Sequence, residues 1–208
     1  MTNTDRKLWV TPTQERSRIK VQRILDAALD LAAKQGSLEL RMTDIAVTAE
    51  VSVGTLYQFF PSRTAVVGAL FAREMTPIDN SIDQLFDGES TDQPLTEQIE
   101  KLILSHLKLA KRHPGLAVLW AASAVDPAVE AADLANTHKN AGRLASHLSR
   151  SVSDQVDEQD LYATALLLCH LWSSVVRLCL RSKPADAKRI VRQYAALIAA
   201  RESELKKL

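Results

Sequence analysis

Apolar residues recur with helical period along most of this chain. Ile24, Leu25, Ala28, Leu31 and Ala32 mark one face of a helix within residues 13–36, and Gly36 supplies its stop. Thr43 is placed to cap a short helix through Glu50, and residues 53–60 carry a second short one. Ser62 can cap a third that runs to about Met75 and, kinked near Pro77, on to Phe86. The stretch DGESTDQP at 87–94 predicts a loop. Helical patterns follow at 95–113, 115–125, 128–151, 158–182 and 185–206. Prolines 12, 61, 77, 94, 114, 127 and 184 fall almost always where such a pattern begins or breaks. No run of alternating residues bounded by turn signals predicts a strand. The expected fold is all-α, with about nine helices and no internal repeat.

The short stretch VSVGTLYQFFPSR, residues 51–63, crowds Leu56, Tyr57, Phe59 and Phe60 into two helical turns. A rotation of 100° per residue puts Leu56, Phe59 and Phe60 in one arc. Gly54 and Gln58 lie opposite, flanked by Thr55 and Tyr57. Leu56 and Phe60 are expected to pack on the first helix, near Leu25 and Leu29. The other face offers a hydroxyl, an amide, a phenol and a glycine that lets the backbone come close. Such groups can meet phosphates and base edges in a major groove.

Composition narrows the class without naming a partner. The chain has 208 residues, 46% apolar and 25% charged with net charge +1, an ordinary soluble composition. The amino end is locally basic, with Arg6, Lys7, Arg16, Arg18, Lys20 and Arg23 against Asp5 and Glu15. Cys169 and Cys179 are ten residues apart in one predicted helix, roughly 15 Å at helical rise, too far to pair with each other. With no signal-peptide pattern at the start, a reduced, cytoplasmic protein is expected. The apolar stretch 161–180 is broken by His170, Ser173, Ser174 and Arg177, so it reads as a buried interface helix and not as a membrane span.

A short helix from Thr43, a tight turn at 51–53 and the helix after it have the form of a helix-turn-helix. The segments TPTQERSRIKVQRILDAALDLAAKQG and MTDIAVTAEVSVGTLYQFFPSRTAVVGAL resemble the amino-terminal domain of the tetracycline-repressor (TetR) family over about residues 12–70. The resemblance implies a flexible basic arm at 1–12, a DNA-binding domain at 13–62 and a regulatory, ligand-binding and dimerisation domain at 63–208. It implies DNA contacts by Thr43, Val53, Gly54, Thr55, Tyr57, Gln58 and Phe59, with Arg63 clamping a phosphate. Thr43 also fits a purely capping role and Val53 a core role. The sequence departs from the family pattern twice. Glu50 stands where glycine is common and a left-handed backbone convenient. Phe59 stands where Tyr or His is frequent and offers no hydrogen bond to a phosphate.

The last two helices look too apolar for a monomer's surface and predict a homodimer through a four-helix bundle, which would present two reading helices to a palindromic operator on double-stranded DNA. Middle helices at about 95–151 would then enclose a site for an unidentified small-molecule effector, as the resemblance implies. His106, Trp120, His170 and Trp172 are candidates for lining it, and each is also an ordinary core residue type. Enzyme signatures are absent from the sequence. His106 and His113 lie about 10 Å apart along one helix, too far for one zinc. No HExxH, ligand-spaced cysteine pair, phosphate-cradling glycine loop or GxSxG elbow occurs. No catalytic residue, metal or cofactor is expected. The reading is a DNA-binding transcriptional regulator, a repressor released by its effector. An activator, or an all-α carrier or enzyme with a vestigial helix-turn-helix, is the alternative.

Overall fold

The computed structural model describes residues 15–87, 94–150, 152 and 156–207. The basic arm at 1–12 and most of the loop at 87–94 lie outside the described residues. Among those described there are nine helices and no strand: α1 (Glu15–Gln35), α2 (Met42–Thr48), α3 (Val53–Phe59), α4 (Arg63–Asp87), α5 (Leu95–Arg112), α6 (Pro114–Ala122), α7 (Pro127–Ser149), α8 (Glu158–Leu180) and α9 (Pro184–Leu205).

Local signals account for most of these bounds. Gly36 ends α1 in a left-handed conformation, φ +66°, with its N–H bonded to the Ala32 carbonyl at 2.9 Å. Proline opens α6, α7 and α9, where a missing N–H costs nothing. Ser62 caps α4 through the Ala65 N–H, and Asp157 caps α8 through the Gln159 and Asp160 N–H groups. Pro77 lies inside α4, which continues past it to Asp87. Thr43 is not the cap of α2: the N-cap position is Arg41, which makes no side-chain cap bond. The reason is just upstream, where Leu38 and Leu40 are both buried and anchor the chain before Thr43 is reached.

The chain forms two compact units. One comprises Met1–Met75 with His113–Asp133, the other Thr76–Arg112 with Leu134–Leu208. In the first, α1 buries Ile24, Leu25, Ala28 and Ala32, and α6 packs on it with Leu116 and Leu119 buried. Gly115 makes that approach close enough that a methyl in its place would sit 2.7 Å from the Leu29 carbonyl oxygen. Arg73 of α4 joins α1 through Asp26 at 2.7 Å. In the second unit α5, α8 and α9 pack together over Ile99, Ile103, Leu161, Ala165, Val191 and Ile198. A polar ladder links α4 to α7 within that unit. Lys139 and Asn140 both donate to Asp79, and Arg143 bonds Asp83.

Candidate nucleic-acid interface

The turn between α2 and α3 requires one residue with a left-handed backbone, and Glu50 supplies it at φ +54°. For a residue with a Cβ this conformation costs roughly 1 to 2 kcal/mol. The cost is accepted where the chain must reverse within a few residues. Ser52 then caps α3, accepting from the Thr55 N–H at 3.0 Å, and its hydroxyl lies 2.8 Å from the Thr55 hydroxyl. The cap and the left-handed residue together set the angle at which α3 leaves α2.

Two faces of α3 result. Leu56 and Phe60 are fully buried, which seats the helix. Val53, Gly54, Tyr57 and Gln58 face solvent, Tyr57 at 50% exposure, and Phe59 and Thr55 are half-buried at the margins. A methyl built on Gly54 would meet only the Ser52 Oγ, at 3.9 Å. Nothing inside the protein therefore requires glycine there. Thr43 is exposed on α2, its hydroxyl donating to Asp44 at 3.3 Å. Thr43, Val53, Gly54, Tyr57 and Gln58 thus all reach the surface in the first unit.

Arg63 is arranged differently. From the first position of α4 its Nη1 donates to the Leu38 carbonyl at 2.8 Å and to Asp126 at 2.9 Å. Asp126 is buried and also accepts from the Ala128 N–H, at the start of α7. The guanidinium therefore ties α4 to the segment before α2 and to the cap of α7. A phosphate would be met only by its remaining N–H edge, since a guanidinium carries five donors. Sequence reasoning missed Asp126, although Asp followed by Pro is a helix-start signature.

The ligand-site candidates separate. His106 is buried on α5 with its ring centroid 5.9 Å from that of Trp172 on α8, and Trp172 in turn packs edge-on to Tyr194 of α9. Neither ring nitrogen of His106 has a hydrogen-bond partner, and burial pushes its pKa down to about 4. The Tyr194 hydroxyl donates to the Leu168 carbonyl. Burial raises the Tyr194 phenol, and the neighbouring Cys169 raises it further; burial likewise holds the Cys169 thiol up at about 12. Trp120 lies in the other compact unit, where its Nε1 donates to the Met75 sulfur at 3.4 Å. His170 is exposed.

An all-α chain whose amino-terminal helices form a capped helix-turn-helix with an outward polar face belongs to the class of helix-turn-helix DNA-binding regulators. The family follows from comparison with known proteins. Residues 24–70 match the model for bacterial regulatory proteins of the tetR family, and residues 93–201 match the tetracyclin repressor-like C-terminal domain. The chain belongs to the tetracycline-repressor family and is a DNA-binding transcriptional regulator. It is similar to the HTH-type transcriptional repressor KstR of Rhodococcus jostii, 33% identical over 171 residues that cover 79% of this chain and 76% of that protein. KstR of Mycolicibacterium smegmatis is 31% identical over 77% of this chain and 76% of its own. Among solved structures, a TetR transcriptional regulator from a Rhodococcus species superposes with a TM-score of 0.55 at 26% identity, covering 88% of this chain and 97% of that one. Salmonella enterica GusR reaches 0.64 at 18% identity over 95% of this chain and 100% of its own, a likeness of fold. Regulators of this family bind DNA and dimerise through the C-terminal domain. The carrier and enzyme readings are not favoured.

Proposed function

We propose that this protein is a homodimeric repressor that holds a palindromic operator with its two α3 helices and is released by a small molecule bound in its carboxy-terminal part. The observation that carries the DNA-reading role is the division of α3 into a face seated by Leu56 and Phe60 and a face presenting Val53, Gly54, Tyr57 and Gln58. Residues 13–62 supply the reading domain and 63–208 the regulatory one. Thr43, Thr55 and Phe59 flank the reading face, and Arg63 supports it from the start of α4. The protein works in the cytoplasm, where a bacterial operator lies.

The dimer is formed by α8 and α9. Leu167, Leu171 and Leu178 form one stripe on α8, all exposed, and Leu197 is exposed on α9. By length and composition α8 could cross a membrane, yet only 22% of its most apolar window is buried within the chain. A second copy covers that face in a family that dimerises through this domain. Two-fold symmetry then requires half-sites about 34 Å apart, or a multiple, so that both reading helices dock on one side of the duplex.

The effector is held beside His106 and Trp172. A buried imidazole with two unpartnered nitrogens is costly, and a bound hydroxyl or carbonyl offsets that cost. Trp120 and His170 are further candidates for ligand contact. The effector weakens operator binding by its preference for the released state, typically 1 to 3 kcal/mol.

Selection of random duplex DNA on the purified protein tests the core of this reading. An inverted repeat should be enriched, bound by a dimer with an affinity that falls steeply with salt. Placed before a reporter, that repeat should lower expression when the protein is present. Raised expression would make the protein an activator, and failure to enrich any motif would sink specific DNA recognition.

A further inference from the structure

The reading face of α3 carries no charge at all. The helix is VGTLYQF, without an arginine or lysine to offer guanine two donors and without a carboxylate for cytosine. The cations nearest in the chain are placed for other work. Arg63 holds Leu38 and Asp126, and Arg41 stands at the N-cap of α2, the helix that crosses the phosphate backbone in this motif. The Thr55 hydroxyl is paired with that of Ser52. Two side chains are left with base-reading chemistry: the exposed amide of Gln58 and the exposed methyls of Val53.

A carboxamide pairs one acceptor with one donor, which matches the N6–H2 and N7 of adenine and mismatches the two acceptors of guanine. Valine methyls match the C5-methyl of thymine, which no other base presents in the major groove. Val53 and Gln58 are five residues apart, about 7 to 8 Å along the helix, or roughly two base-pair steps. Around the helix the two are about 140° apart at 100° per residue, with Gly54 in the arc between them, leaving room for the groove floor to come close. Tyr57, with a single hydroxyl, is suited to a phosphate.

We infer that the base pairs read by α3 in each operator half-site are A·T pairs, with Gln58 bonded to an adenine and Val53 packed on a thymine methyl. This rests on the reading that α3 enters the major groove. Direct readout by α3 therefore discriminates against guanine and cytosine through unmatched donors and acceptors, with no attractive ion pair from this helix to a base.

The test is parallel selection of random duplex DNA on the full chain and on its Gln58→Ala and Val53→Ala variants, both exposed positions. The unaltered protein should enrich A·T pairs at two positions of each half-site. Gln58→Ala should flatten one adenine preference and Val53→Ala one thymine preference. On the winning site, 7-deaza-adenine at the first position should weaken binding roughly 5- to 150-fold. Uracil for thymine at the second, which deletes only the methyl, should weaken it about fourfold. That fourfold effect should vanish in Val53→Ala. A G·C pair at the position flattened by Gln58→Ala, or no flattened position in either variant, would overturn the inference and leave the DNA-binding regulator intact. No enriched motif even for the unaltered protein would overturn both.

Discussion

Burial of His106 links its protonation to folding. The imidazole is pushed from 6.5 down to about 4 by desolvation, so the unfolded chain binds its proton first. Stability from this group is complete above pH 6.5 and is lost as pH falls from 6.5 through 4, by on the order of 3 kcal/mol. Urea unfolding across that range should show the loss in the unaltered protein and a smaller slope in His106→Phe. Equal slopes would mean that the ring takes up its proton without cost. Cys169 and Tyr194, raised by burial, stay neutral throughout this window and do not contribute. At Gly54 two properties should separate. Gly54→Ala meets only the Ser52 Oγ at 3.9 Å, so stability should hold or rise by up to about 1 kcal/mol, while affinity for the selected operator falls. Unchanged affinity would place the groove away from this face.

Helix packing sets where small residues are obligatory. On α6, Gly115 faces α1 so closely that a Cβ would lie 2.5 Å from Leu29 Cδ1 and 2.7 Å from the Leu29 carbonyl oxygen. The side chain could turn away, but the carbonyl belongs to the helix itself and α1 would have to shift. Gly115→Ala should therefore destabilise the protein by about 1 to 3 kcal/mol in denaturant titration. Gly142 on α7 is the control: nothing lies within 4 Å of its added methyl, so Gly142→Ala should stabilise by up to about 1 kcal/mol. If both variants moved stability the same way, the α1–α6 approach would not be as tight as the structure has it. The same scale explains α3. Seven residues are too few to be stable as an isolated helix, so its existence depends on the Ser52 cap and on burial of Leu56 and Phe60.

In the proposed dimer, assembly rests on the apolar stripe of α8. Leu167, Leu171 and Leu178 are exposed at 59%, 37% and 54%, more apolar surface on one helix face than a monomer commonly leaves in water. Sedimentation should give twice the mass of the chain. Leu167→Glu together with Leu178→Glu should shift it toward the monomer and weaken operator binding, because each half-site alone is held by one α3. A doubly substituted chain that still sediments as a dimer would move the interface elsewhere.

What can be read from one sequence is what local chemistry determines. Helical period, the Gly36 stop, the proline starts and the Ser62 cap each involve residues within one turn of each other, and each has its counterpart in the structure; the left-handed backbone at Glu50 was implied by the family resemblance. The two faces of α3 were legible for the same reason, since 100° per residue is a property of the chain alone. Tertiary structure decided the rest. Arg63 and Asp126 are 63 residues apart, and His106 meets Trp172 across two helices, pairings that no periodicity encodes. Because α8 is apolar nearly all round, its sequence leaves the inward side open, and only packing put Trp172 beside His106 and left His170 in solvent. Thr43 failed as a cap because burial of Leu38 and Leu40 set where α2 could begin. A local signal states what a segment can do, whereas contacts between distant segments select which of its options is used.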